Sequence, residues 1–154
     1  MQMKPIEIQV LGLVAKSPQD ICAEFLKLER WSDFTGYSIL PGIQSARFET
    51  QVPGWVGARI RVQNTDGTSH VEEIIEWDLE RRIALKFQDF TPPLRNLASH
   101  FIESWEFRTS PAGTEITRKM ALYPKNRLGW LMLLPISRLM KKAFEQNANQ
   151  VGGK

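Results

Sequence analysis

Arg127-Leu-Gly-Trp-Leu-Met-Leu-Leu-Pro-Ile-Ser-Arg-Leu-Met140-Lys-Lys-Ala-Phe-Glu-Gln-Asn-Ala-Asn-Gln150 is the stretch that decides the fold. In its second half Ile136, Leu139, Met140, Ala143, Phe144, Ala148 and Val151 recur at helical spacing. Ser137, Arg138, Lys141, Lys142, Glu145, Gln146 and Gln150 take the opposite side. The first half, Leu128 to Leu134, is apolar all round, which asks for a helix wrapped by other structure rather than laid on a surface. Pro135 is placed to kink it. Everything upstream reads as alternating strands that could do the wrapping, so the expectation is a cavity between sheet and helix.

Working back to the start, Pro5 to Val14 alternates, with Ile6, Ile8 and Val10 on one face of a first strand. Ser17-Pro18-Gln19-Asp20 opens a helix: serine caps, proline takes the first helical position, and Asp20 favours the positive helix end. Glu29 to Phe34 forms a second short helical turn ending at Gly36, and Pro41-Gly42 introduces a second strand reaching Gln51. Pro53 to Gly57 is a turn carrying an exposed Trp55.

From Ala58 to Tyr123 the pattern is five strands joined by hairpins. Asp66-Gly67 signals a two-residue turn, which pairs Thr65 with Thr68, Val62 with Val71 and Ile60 with Glu73. Asp78 to Arg82 links the next pair, placing Trp77 near Ile83 and Ile75 near Leu85. Pro92-Pro93-Leu94 lies in the longest loop. Ala98 to Thr109 and Gly113 to Tyr123 pair across Ser110-Pro111-Ala112, setting Phe107 against Ile116 and Trp105 against Arg118.

The 154 residues suit one domain, 1–154, large enough to bury about two thirds of its unfolded surface. An apolar share of 42% and a charged share of 24% are those of an ordinary globule, and a net charge of +3 without a basic run gives no footing for nucleic acid. The single Cys22 excludes a disulfide framework and a thiolate metal cluster. The N-terminus offers no small-residue cleavage site, so a cytoplasmic location is expected. The run Leu128 to Ser137 is too short to span a bilayer. His70 and His100 fall on the outward phase, with no ligand at metal-binding spacing, so neither a metal nor a cofactor is expected.

The inward phase carries Ile60, Val62, Val71, Ile75, Trp77, Ile83, Leu85, Phe87, Phe101, Trp105, Phe107, Ile116, Met120 and Leu122, and three charged residues share it: Glu73, Glu103 and Arg118. A charge facing a core is costly unless paired or wet. These residues either form a structural ion pair or line a cavity holding a polar ligand group. Trp130, Leu131 and Leu134 point away from the stripe of the last helix. Loops could cover them, or they form a greasy lip flanked by Lys125, Arg127, Arg138 and Lys141 and suited to a membrane.

Ser17-Pro18, Trp31-Ser-Asp-Phe34, Gly57, Asp66-Gly67, Glu73-Ile-Ile-Glu-Trp77 and the closing Leu128 to Glu145 segment together resemble the START-like superfamily, in its polyketide cyclase/dehydrase and lipid-transport (SRPBCC) branch. The resemblance implies an α+β helix-grip fold: a curved seven-stranded antiparallel sheet around a long C-terminal helix, with two short helices between strands 1 and 2. It also implies a hydrophobic cavity. Members bind lipids, sterols, quinones, hormones or polyketides, and only some are catalysts, so no residue inherits a role.

Three functions follow. The first is carriage of a hydrophobic small molecule, lipid-, quinone- or polyketide-like. Trp77, Phe87, Phe101, Trp105, Met120, Met132, Leu133 and Met140 would form the walls, with Glu73, Glu103 and Arg118 orienting a polar head. The second is an aromatase/cyclase- or dehydratase-type enzyme, with Glu103 or Glu73 as general acid–base and Arg118 steadying an enolate. The third is a membrane- or protein-contact module working through Trp130, Leu131 and Leu134.

Overall fold

The computed structural model describes residues 3–152, with side chains through Ala148. The side chains of Gln150 and Val151, assigned above to the two sides of the last helix, lie outside the described residues. Seven strands form one antiparallel sheet: β1 (Ile6–Val14), β2 (Ile43–Thr50), β3 (Arg59–Asn64), β4 (Ser69–Asp78), β5 (Arg82–Gln88), β6 (Ala98–Ser110) and β7 (Gly113–Pro124). Their order is β1-β7-β6-β5-β4-β3-β2. The first strand therefore closes on the last, and the chain must cross the sheet to begin β2. It crosses through α1 (Pro18–Phe25) and a 3₁₀ helix (Leu28–Asp33). The Ser17 hydroxyl accepts the Asp20 N–H at 3.1 Å, with Pro18 at the first helical position, as the capping sequence requires.

The closing helix α3 (Arg127–Gly152) packs across β1 and β7. Met140, Ala143 and Phe144 are buried there, and a core cluster joins α3 to the sheet through Val10, Phe101, Met120, Leu122 and Leu133. The curved sheet gripping α3 is the helix-grip arrangement expected from the sequence. The β6–β7 register also matches, with Phe107 opposite Ile116 and Trp105 opposite Arg118.

Four local expectations are corrected. The first concerns β3 and β4, which are joined by a three-residue loop, Thr65-Asp66-Gly67. Asn64 N–H reaches the Thr68 carbonyl at 2.8 Å, and Gly67 alone in the loop has positive φ, at 88°. The Asp66 carboxylate locks it by accepting from the Thr68 N–H at 3.0 Å and the Thr68 hydroxyl at 2.6 Å. The pairing is therefore Val62 with His70 and Ile60 with Glu72. A one-residue slip exchanges the two faces of a strand. His70, Glu72 and Ile74 face the helix, and Glu73 and Ile75 turn away.

A bulge between Ile74 and Glu76 then restores the phase: Leu85 opposes Ile74, not Ile75, while Trp77 still opposes Ile83. The third correction is the start of α3, which is not wrapped. Leu128, Trp130, Leu131 and Met132 are 62%, 38%, 60% and 49% exposed, and only Gly129 and Leu133 on that turn are buried. On the inner side the helix meets α2 (Leu94–Leu97), a single turn within the proline loop. On the outer side nothing among the described residues covers it. Pro135 leaves α3 continuous. Last, Trp55 is half-buried, its ring 5.7 Å from Phe48 and 6.5 Å from Trp77.

Candidate ligand cavity

A cavity of about 430 Å³ lies between the inner face of the sheet and α3. Alternation along the strands sets its floor: Phe87 on β5, Phe101, Glu103 and Trp105 on β6, and Arg118 and Met120 on β7. The roof is the inward stripe of α3, Ile136, Leu139, Met140, Phe144 and Asn147. Trp31, Phe34 and Leu40 close one side, and Phe90, Leu94 and Leu97 another.

Two polar groups interrupt these apolar walls. In the first, the Glu103 carboxylate, 4% exposed, accepts from the Trp105 indole N–H at 2.9 Å and from Arg118 Nε–H. Arg118 also donates from Nη1 to Asn147 Oδ1 at 3.1 Å, and its guanidinium lies 3.7 Å above the Phe144 ring and 4.9 Å from that of Trp105. The protein pairs the charge of this arginine and stacks on its face, while Nη2 makes no hydrogen bond among the described residues. In the second, His70 Nε2 lies 2.9 Å from Glu72 Oε2, and His70 Nδ1 lies 3.4 Å from the Asn64 amide nitrogen. The imidazole thus stands between the Glu72 carboxylate and the Asn64 amide. The imidazole stacks on Phe87 at 5.1 Å. Burial pushes the Glu72 carboxyl above its ordinary range, and the His70 hydrogen bond offsets only part of this. Among the described residues no three His, Cys, Asp or Glu side chains gather to hold a metal ion.

No family model and no curated protein matches the chain. Solved structures do. Major latex-like protein 151 from Panax ginseng is 16% identical, with a TM-score of 0.60 over 91% of this chain and 97% of its own. Protein MLL2253 from Mesorhizobium loti is 11% identical, with a TM-score of 0.67 over 95% and 96%. TTHA0849 from Thermus thermophilus is 16% identical, with a TM-score of 0.67 over 91% and 90%. Superposition over nearly whole chains at such low identity is a likeness of fold. This chain has the helix-grip fold.

Within that helix-grip frame the residues singled out by sequence separate. Phe87, Phe101, Glu103, Trp105, Arg118, Met120 and Met140 line the cavity. Glu73 does not: it sits on the outer face, accepting from Arg59 Nη1 and Gln88 Nε2, each at 3.1 Å. Trp77 faces inward but packs beside the cavity, its ring 6.0 Å from Phe25. Leu133 is fully buried in the core, and Met132 is half-exposed on the outer side of α3. His70 and Glu72 were missed, because the assumed turn put them outside. Their shared parity with Ile74 was the signal available in the sequence.

Proposed function

We propose that the protein binds and carries a hydrophobic small molecule in the cavity between sheet and α3. The observation that carries this reading is a space of about 430 Å³ between sheet and helix, open at a charged rim, with aromatic and aliphatic inner walls and two polar groups deep inside. Apolar walls with a few placed polar groups are the make-up of a small-molecule site. Burying about 300 Å² of ligand at about 25 cal/mol per Å² contributes several kcal/mol, enough for micromolar affinity before ordering costs. A thermal-shift panel of a fatty alcohol, a sterol, a quinone and an aromatic polyketide tests it, together with native mass spectrometry. At least one class raises the melting temperature and adds its mass. No shift and no added mass would sink the reading.

The catalytic alternative has less beneath it. Glu73 lies outside the cavity, and Glu103 and Arg118 hold each other rather than a reacting group.

A second property accompanies carriage: the exposed start of α3 is a docking face for an anionic bilayer. Leu128, Trp130, Leu131 and Met132 form its apolar part, whereas Leu134 is half-buried. Between Glu115 and Glu145 the chain has no acidic residue, and Lys125, Arg127, Arg138, Lys141 and Lys142 are exposed. An apolar strip rimmed by cations alone complements anionic headgroups.

A further inference from the structure

We infer that the cavity takes a hydrophobic amine, its ammonium group seated on Glu72, and refuses carboxylic acids. This rests on the small-molecule reading above and adds the ligand's chemical class. The chain as a whole carries +3, yet its cavity is acidic. Five carboxylates line it, Glu24, Asp33 and Asp66 at the exposed rim and Glu72 and Glu103 deep inside, against three basic side chains, Lys16, Arg30 and Arg118. Arg30 is taken by Glu24 at 3.5 Å and Asp33 at 3.2 Å. Arg118 is held by Glu103, Asn147 and the Phe144 ring, and its charge is balanced by the Glu103 carboxylate.

Glu72 is placed differently. It is 4% exposed, and its only ion-pair partner among the described residues is His70, whose other ring nitrogen faces the Asn64 amide. Glu72 Oε1 has no hydrogen-bond partner among the described residues, and it is not sealed from the cavity. A buried carboxylate oxygen left without a donor is costly, and a ligand that brings a charged donor to it removes that cost. The surroundings suit such a ligand. Glu72 sits opposite Phe87 on β5, which sits opposite Phe101 on β6, and Phe90 is 4.8 Å from Phe101. Ring faces attract an ammonium group and repel a carboxylate.

Three probes of one shape, 2-naphthylmethylamine, 2-naphthalenemethanol and 2-naphthoic acid, test this by calorimetric titration of the full chain near pH 7. The expected order is amine, alcohol, acid, with the amine about tenfold or more tighter than the acid. Glu72→Gln should weaken the amine about tenfold and leave the alcohol within about threefold. An acid or alcohol that binds as tightly as the amine overturns the inference while leaving the cavity reading in place. An unchanged amine affinity in Glu72→Gln does the same. Binding of none of the three overturns the inference, and the cavity reading is then decided by the thermal-shift panel above. Should Glu72→Gln not fold, the wild-type ranking decides alone.

Discussion

Glu72 is a carboxyl that folding takes out of water, and burial raises its pKa above the ordinary 4.5. Between that value and the raised one, the native state keeps a proton that the unfolded chain has lost. The contribution to stability is thus fully present below the ordinary carboxylate range and is lost as pH rises through the raised value. The urea midpoint of the wild type should fall across that window relative to Glu72→Gln, whose amide does not titrate; parallel pH profiles would contradict the assignment. Glu103 and Arg118 are the opposite case, a buried pair that satisfies itself. Arg118→Met leaves the Glu103 carboxylate uncompensated and should cost about 3–5 kcal/mol. Adding Glu103→Gln should restore a large part of that loss, because the stranded charge goes with it. A double-mutant cycle by urea denaturation measures this, and simply additive costs would mean the pair is not coupled.

At the scale of elements, the close approach of α3 to α2 makes a sharp test. A Cβ built on Gly129 would stand 2.2 Å from the Leu97 carbonyl oxygen, a backbone atom that cannot swing aside. Gly129→Ala would gain about 1 kcal/mol of helix propensity in an open helix, but overpacking costs about 1–3 kcal/mol, so the sign should be destabilising. Thermal unfolding decides it, and a raised melting temperature would show that the two helices part freely. The same elements show what a sequence can and cannot disclose. The β6–β7 register was legible because the short Pro111-Ala112 connection and the apolar alternation agree on one pairing. The β3–β4 register was not, because Asn64-Thr-Asp-Gly-Thr68 suits loops of two or three residues. What selects the longer one is the Asp66 carboxylate on Thr68, a side-chain geometry that periodicity does not carry. The bulge beyond Ile74 then hid the slip, since Trp77 meets Ile83 in either register. Phe87, Phe101 and Trp105, the aromatic wall on β5 and β6, were therefore readable, while the aromatics supplied by helices and loops were not and the polar group on β4 was assigned to the wrong carboxylate.

For the whole molecule, the apolar start of α3 set up an expectation of cover by protein that the fold does not meet. Among the described residues no helix is long and apolar enough to cross a membrane; an exposed apolar strip rimmed by cations suits contact at a bilayer surface. The location of the bare face gives that contact a purpose. Gly129 touches α2, whose Leu94 and Leu97 line the cavity, and Ile136 on the same helix lines it too. A bilayer held at Leu128, Trp130 and Leu131 would thus sit beside the cavity wall, where an apolar ligand could pass with little exposure to water. Each exposed cation near an anionic surface contributes about 1 kcal/mol, a contribution that salt screens. The full chain should therefore sediment with vesicles containing phosphatidylserine and not with neutral phosphatidylcholine vesicles, and less so as salt rises. Leu128→Ser with Leu131→Ser should weaken this binding about tenfold, since two large apolar side chains no longer enter the interface. The same variant should take up ligand from vesicles more slowly while keeping its affinity for ligand in solution, which separates delivery from binding. If instead a second copy covers this face, sedimentation will show a dimer that the double substitution breaks, and the wild type will ignore both vesicle types.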